Sequence, residues 1–438
     1  SQAADSEVIR ELLSPWNVSF TDLYEAEVAV VYGERPVETK KTVVIPSDSA
    51  EFIEWTKAMK LNVGRSPGEP VFVVASTQTV LTVKPQTLYS YNELVRPVSR
   101  ESPPTAVEVD ENLILLTLDI VKEYREILDQ TLNAKPSTLY RLLTGLPVSY
   151  SIAPRRLRDF LMKNRRGDED FAFCDKLQLD ALRYILVSAI DRLSKRGLRR
   201  KTWKGKRYAC IMTHDVDTRE GLRRAARLKK LEEKYDLASA WYIPSKRYEL
   251  TLETVRELAD YGEVGAHDTN HDGKLAQLPK QRLVERLLEA KQTLEEIVDR
   301  SVEGFRAPLL QHNTKIIQAL GEVGYTYDAS IPTWEPVHPS TLRPHGIGTI
   351  YPLHMNGIVE FPLSLPQDHQ MMKCLGLSPS QTVERWIEAK DTVKELGGIC
   401  MISIHSDYEF ASTEGRGIYE DLLHRVCADD HALLAVPC

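Results

Sequence analysis

Short apolar, β-branched runs recur near the start of the chain, at 27–32, 42–45, 71–75 and 80–83. Turn residues bound each one, which predicts strands. Between them Phe52, Trp55 and Met59 fall at intervals of three and four, so 49–60 reads as an amphipathic helix. Pro103 and Pro104 mark a break. After it, 111–132 and 177–193 carry apolar residues at helical spacing, and the pattern predicts a mainly helical stretch. From residue 208 the pattern changes. YACIMT (208–213), ASAWYI (238–243), EVGAH (263–267), VEGFR (302–306), GYTYD (324–328) and CMISIH (400–405) read as buried strands. Helix-like segments at 220–234 and 252–261 follow the first two. Strands alternating with amphipathic helices predict βα units and a parallel sheet or barrel. The expected division is an α/β region over 1–105, a mainly helical region over 106–200 and a barrel over 201–438, the last roughly the size of one α/β barrel.

Composition narrows the picture by exclusion. The 438 residues are 42% hydrophobic and 27% charged, which excludes wholesale disorder and a small disulfide scaffold. Lys and Arg total 56 against 63 Asp and Glu, a formal charge of −7, so no general nucleic-acid coat is expected. No apolar run is long enough to span a bilayer. The first residues, SQAADSEVIRELL, lack the basic start and apolar core of a secretory signal, and the six scattered cysteines suit reduced thiols; together these predict a cytoplasmic protein. The run KRGLRRKTWKGKR at 195–207 holds eight cations and no anion. It reads first as a solvated linker, and second as a patch drawing an anionic substrate or a membrane surface peripherally.

The chemistry lies where polar residues meet the strand ends. YACIMT runs into His214-Asp215-Val216-Asp217, EVGAH delivers His267 and then His271, VEGFR ends in Arg306, GYTYD in Asp328 and CMISIH in His405. In α/β barrels the catalytic groups sit at the carboxyl ends of strands. One carboxylate and two neutral imidazoles make a good set for a divalent transition metal with open positions, and Asp217, His267 and His271 supply it. Asp215 and Asp217 lie two apart and face the same way in extended chain, whereas His214 points opposite and reads as packing or as support behind the site. One carboxylate thus holds the metal while the other faces its water, and Arg306 pairs with that base. His405 is placed to protonate a leaving amine. This constellation describes metal-assisted amide or ester hydrolysis.

These motifs resemble the polysaccharide deacetylases of carbohydrate esterase family 4, over about 208–438. THDVD (213–217) is similar to the family's first motif, HDTNH (267–271) to its His-x-x-x-His metal motif, FRAPL (305–309) to its Arg-x-Pro motif and ISIHS (402–406) to its last. The resemblance implies an α/β fold, a distorted (β/α) barrel of the polysaccharide deacetylase type. It also implies Asp215 as base, Asp217 as metal ligand beside His267 and His271, Arg306 as the residue holding the base, and His405 as acid. The Leu309 amide would help form the oxyanion hole. For the carboxylate that tunes the acid, Asp368 is the first candidate and Asp328 the second. This chain departs from the pattern in three places. Val216 separates two acids that are adjacent in many members, Asp268 stands where Ser or Thr is usual, and Leu309 replaces a frequent Tyr.

The expected activity is therefore removal of an N-acetyl group from an amino sugar in a polysaccharide or glycoconjugate, with one divalent cofactor, zinc first. The expected partner is the N-acetylated carbohydrate, with no nucleic acid; the oligomeric state is open. Trp241, Trp334, Tyr327 and Tyr408 lie near strand ends as candidates to stack on a sugar ring. Two alternatives stand beside this: a hydrolase of small cyclic amides or ureides on the same fold, and a catalytically silent carbohydrate-binding protein.

Overall fold

The computed structural model describes residues 2–21, 26–37, 40–76, 78–91, 96–97, 104–138, 172–338, 341 and 343–438. The chain separates into two units, Ser1–Asp129 with Phe173–Lys201 and Gln130–Ala172 with Thr202–Cys438.

The first unit is built on the β-branched runs. Its strands are β1 (Val28–Tyr32), β2 (Lys41–Ile45), β3 (Gly64–Pro67), β4 (Val71–Val74), β5 (Val80–Val83), β6 (Thr87–Ser90), β7 (Arg96–Pro97), β8 (Ala106–Asp110) and β9 (Leu113–Leu116). A mixed sheet runs in the order β1-β2-β9-β8-β7, with β3 paired to β6 and β4 to β5 as antiparallel two-stranded ribbons. The helix Ala50–Ala58 starts where Ser49 accepts the Phe52 amide, an N-cap bond that satisfies one orphan donor of the first turn. Leu179, Leu182, Leu186, Ile190 and Leu193 form a buried stripe along the helix Gln178–Ser194. Helical spacing overreached at 111–132. Leu113–Leu116 is four consecutive buried residues, an inner strand of the sheet, and the helix begins only at Ile120. A short all-apolar run carries no periodicity to separate strand from helix. The sheet therefore continues through the boundary expected at 105/106. Of the expected helical region, 139–171 lies outside the described residues.

The second unit carries β10 (Tyr208–Asp215), β11 (Ala240–Ile243), β12 (Glu263–Ala266), β13 (Gly304–Phe305), β14 (Tyr327–Asp328), β15 (Leu353–Met355), β16 (Ile358–Glu360), β17 (Ile399–His405) and β18 (Ala432–Leu434). They form a nine-stranded sheet in the order β15-β16-β14-β13-β12-β11-β10-β17, with β18 beside the first half of β10. Every pairing is parallel except β15 with β16. Helices intervene at Arg219–Glu232, Leu252–Tyr261, Lys280–Val298, Thr314–Val323, Pro379–Leu396 and Arg416–Cys427. The sheet curls, and the stretch after β16 bridges its gap. Leu363 pairs with Pro332 on one side, and the Leu365 amide reaches the Met401 carbonyl of β17 on the other. The result is the expected distorted (β/α) barrel.

Alternation fixes what faces the interior. Ala209, Ile211, Ala240, Tyr242, Tyr327, Ala329, Ile399 and Met401 share one buried core. Continued by twos along β10 and β17, the same face presents Thr213, Asp215, Ser403 and His405. The inner face is apolar at the strands' amino ends and polar at their carboxyl ends. His214 points the other way, bonded to Glu232 at 2.7 Å and lying against the Trp241 ring.

The basic run straddles the division at Lys201/Thr202, and its cations are exposed except for the half-buried Arg200. Trp203 Nε1 donates to the Gly397 carbonyl at 2.8 Å, Lys206 Nζ to the Asp430 carbonyl at 2.7 Å, and Arg196 pairs with Glu27 at 2.8 Å. All six cysteines are free thiols. No helix among the described residues is long and apolar enough to cross a membrane.

Inside the barrel, glycine makes room for two tyrosines. A Cβ on Gly304 would stand 2.0 Å from the Tyr327 hydroxyl, and one on Gly265 2.7 Å from the Tyr242 ring. Gly304→Ala is therefore expected to destabilise the protein by about 1–3 kcal/mol in urea unfolding. Gly417→Ala, on a helix with open space around it, should be neutral or stabilising by up to about 1 kcal/mol. Equal effects of the two would contradict this packing.

Candidate active site

Four strand ends and two loops converge at the polar rim. Asp217 follows β10, and its Oδ1 lies 3.1 Å from His271 Nε2 and 3.4 Å from His267 Nε2. The three side chains form a group whose ligand atoms all lie within 4.8 Å of one another. His267 Nδ1 donates to the Arg306 carbonyl at 2.7 Å, which leaves the Nε2 lone pair facing Asp217. His271 adopts a left-handed backbone (φ 51°), as does Asp268 (φ 68°). These turns fold the HDTNH segment back so that its two imidazoles meet, with ring centroids 5.0 Å apart. Asp268 stays out of the group: its carboxylate is held by Arg286, which also binds Asp272.

Asp215 is buried beside this group. Its Oδ1 accepts from Arg306 Nη1 at 2.9 Å and its Oδ2 from Gln367 Nε2 at 2.9 Å. Burial again pushes the carboxyl up; Arg306, His267 and His405 together pull it below the ordinary value, so it is a carboxylate at neutral pH. Arg306 is itself fully buried. It donates through Nε to the Ala329 carbonyl at 3.0 Å and through Nη1 to Thr213 at 2.8 Å and Ser403 at 3.2 Å, and it lies 4.2 Å from the Tyr242 ring centroid. That places one cation across β10, the 328–330 turn and β17.

His405 Nε2 stands 3.8 Å from Asp215 Oδ2. Its Nδ1 donates to Asp368 Oδ1 at 2.6 Å, and the other Asp368 oxygen accepts the His405 amide at 3.0 Å. Burial disfavours the imidazolium, yet the Asp368 charge and hydrogen bond prevail and push the ring up to about 10. Asp368 thus supports the histidine. Asp328 does not: it accepts from Ser330 and lies against Glu360 inside the barrel.

Leu309 sits in the turn after Arg306 with φ 57° and ψ 24°, and Leu310 follows at φ 49°. Two consecutive non-glycine residues in the left-handed region cost on the order of 1–3 kcal/mol each. The turn's bonds use the amides of Leu310 (to Ala307) and Gln311 (to Pro308).

The rim holds further groups. Thr213 and Ser403 lie two residues before Asp215 and His405, so strand alternation was signal enough to find them. Gln367, on Asp215, and Asp407, whose Oδ2 accepts the Asp217 amide at 3.1 Å, come from loops with no sequence pattern of their own. His369 also joins the rim, its ring centroid 4.8 Å from that of His405. Of the four aromatics suggested for sugar stacking, Trp241 and Tyr327 are buried in the core. Tyr408 stands 5.1 Å from His405 by ring centroids, and Trp334 is half-buried.

Residues 210–327 match the polysaccharide deacetylase family, so the second unit carries a polysaccharide deacetylase domain. A peptidoglycan deacetylase of Helicobacter pylori is 30% identical over 106 residues, covering 24% of this chain and 36% of that protein. The chain thus spans about a third of that relative's length. Among solved structures, a protein of Mycobacterium smegmatis described as a polysaccharide deacetylase is similar at 18% identity and TM-score 0.44, over 54% of this chain and 90% of the other. An allantoinase is similar at 14% identity and TM-score 0.42, over 54% of this chain and 89% of its own.

Because Asp215 and Arg306 neutralise one another in a buried site, removing the cation leaves an unpaired charge. Arg306→Met should cost about 3–5 kcal/mol in chemical denaturation. The double variant with Asp215→Asn should recover a measurable part of that loss, and failure to recover any would contradict the pairing.

Proposed function

We propose that the second unit is a divalent-metal-dependent hydrolase that removes N-acetyl groups from amino sugars in a polysaccharide or glycoconjugate. One observation supports this above the rest: Asp215 and His405 stand 3.8 Å apart, close enough to the Asp217–His267–His271 group for their charges to act on one another. The residues fit a metal. Asp217 Oδ1 is a buried oxygen without a hydrogen-bond partner, and the tautomer of His267 turns a bare nitrogen towards it. An oxygen and two imidazole nitrogens suit zinc first, with room left for water and substrate. When bound, such an ion polarises the acetyl carbonyl and makes water a better nucleophile at neutral pH.

The chain's own groups do the rest. Asp215 accepts a proton from the attacking water, and Arg306 and Gln367 fix its rotamer while it does so. The Leu309 amide, presented by the strained turn, donates to the oxygen that gains charge as the carbonyl becomes tetrahedral, a contribution of about 3–4 kcal/mol for one such donor. His405, oriented and kept cationic by Asp368, gives its proton to the departing nitrogen. The amide C–N bond breaks, leaving acetate and a free amine on the sugar.

Acetate release from an N-acetylglucosamine oligomer tests this. Asp215→Asn should lower kcat by about 10²–10⁴-fold with little change in zinc content. A chelator should abolish release and added zinc should restore it. Full activity after either treatment would refute the proposal. The pH profile gives an independent check. The acid works only while protonated, so activity falls as pH rises through the His405 pKa of about 10. Asp368→Asn removes the charge that raises this value and should move the alkaline limb to lower pH; an unmoved limb would show that Asp368 does not tune the acid.

A further inference from the structure

A second cluster of imidazoles lies in the same unit, outside the groups described above. His312 follows the Pro308–Leu310 turn by two residues, and His338 and His345 sit on the segment after β14. Each offers one ring nitrogen, and the three nitrogens lie within 4.8 Å of one another. Their ring centroids are 5.2, 5.0 and 4.6 Å apart. Around a tetrahedral zinc, with Zn–N of about 2.0–2.1 Å, imidazole nitrogens stand roughly 3.3 Å apart, so the cluster needs little adjustment to close on an ion.

The bonding around the rings argues for a cation rather than a chance grouping. His312 Nδ1 donates to the Leu310 carbonyl at 2.7 Å, so the neutral ring has a lone pair on Nε2. That nitrogen stands only 2.9 Å from His345 Nε2. That is a hydrogen-bond distance, so a single proton joins the two nitrogens, at a place a divalent cation would take instead. His338 has its own carboxylate: Nδ1 lies 2.8 Å from Glu335 Oε1, close enough to pair although off the hydrogen-bond line. Glu335 is fully buried, and Gln370 donates to its other oxygen at 2.6 Å. A buried carboxylate behind a histidine is the usual outer support of a metal-ligating imidazole. The backbone brings the ligands together, since Glu335 and His345 exchange amide–carbonyl bonds at 2.7 and 3.1 Å and the His338 amide donates to Arg343.

We propose that His312, His338 and His345 form a second divalent-metal site of the three-imidazole type, taking zinc or a similar transition metal, with Glu335 orienting His338. Its role is structural. It pins His338 and His345 to the turn that carries Leu309, and through Glu335, Gln370 and Gln367 to the carboxylate of Asp215.

Metal content of the full chain decides the matter. Protein equilibrated with zinc and then desalted should hold two equivalents per chain. An Asp217→Ala/His271→Ala variant should keep one, and a His338→Ala/His345→Ala variant should lose the other. Cobalt added to the Asp217→Ala/His271→Ala variant should give a visible d–d band that is absent when His345→Ala is added. A folded Asp217→Ala/His271→Ala variant that holds no zinc and gives no cobalt band would overturn the proposal, leaving only a hydrogen-bonded histidine cluster. If the His338→Ala/His345→Ala variant fails to fold, that background count still decides. Loss of the other equivalent alone would count against the deacetylase site, not this one.

Discussion

The arrangement depends on one buried ion pair. Taking Arg306 and Asp215 out of water costs several kcal/mol for each ion, and the barrel recovers that cost only by surrounding the pair with fitted donors and acceptors. Thr213, Ser403, Gln367 and the Ala329 carbonyl come from different parts of the sheet, so the pair is satisfied only when β10, β17 and the stretch after β14 stand in their native register. A one-residue slip of β10 would turn Asp215 towards Trp241 and put His214 against Arg306. The same pair leaves Asp215 charged, rigid and unable to swing onto a neighbouring cation. That rigidity separates its role from that of Asp217, two residues further on, which keeps an unbonded oxygen towards two histidines.

Opposite electrostatics on the two sides of Asp215 follow from local partners. Asp215 has a cation against one oxygen, and its acidity increases. His405 has a carboxylate against Nδ1, and its basicity increases. Groups whose environments push their ionisations apart are suited to opposite proton-transfer roles. Asp368 makes two bonds to one residue, the His405 ring and its amide, and so fixes both the tautomer and the strand end. The strained Pro308–Leu310 turn lies between Arg306 and His312, and joins the two histidine clusters through a few residues of backbone.

Much of the barrel was legible in the sequence because its signals are local and redundant. Five of the six strands read from the sequence are short apolar runs that meet a polar residue at their end, and the alternation that places Asp215 and Asp217 together also turns His214 away. The apolar run Leu113–Leu116 misled because four consecutive leucine and isoleucine residues have no period. Asp368 ranked ahead of Asp328 in the sequence, but what brings it to His405 is the closure of 361–365 across the gap, which no spacing encodes. Gln367, Asp407 and the grouping of His312 with His338 and His345 depend on loop paths that no spacing encodes.

The central claim is that Asp217, and not Asp215, joins His267 and His271 in holding a divalent cation while Arg306 keeps Asp215 apart from it. Anomalous diffraction at the zinc edge from a zinc-soaked crystal tests this most directly. The account predicts a peak at about 2 Å from Asp217 Oδ1, His267 Nε2 and His271 Nε2, with the Arg306–Asp215 contact intact. A peak bonded to Asp215, or none among these three side chains, would contradict it.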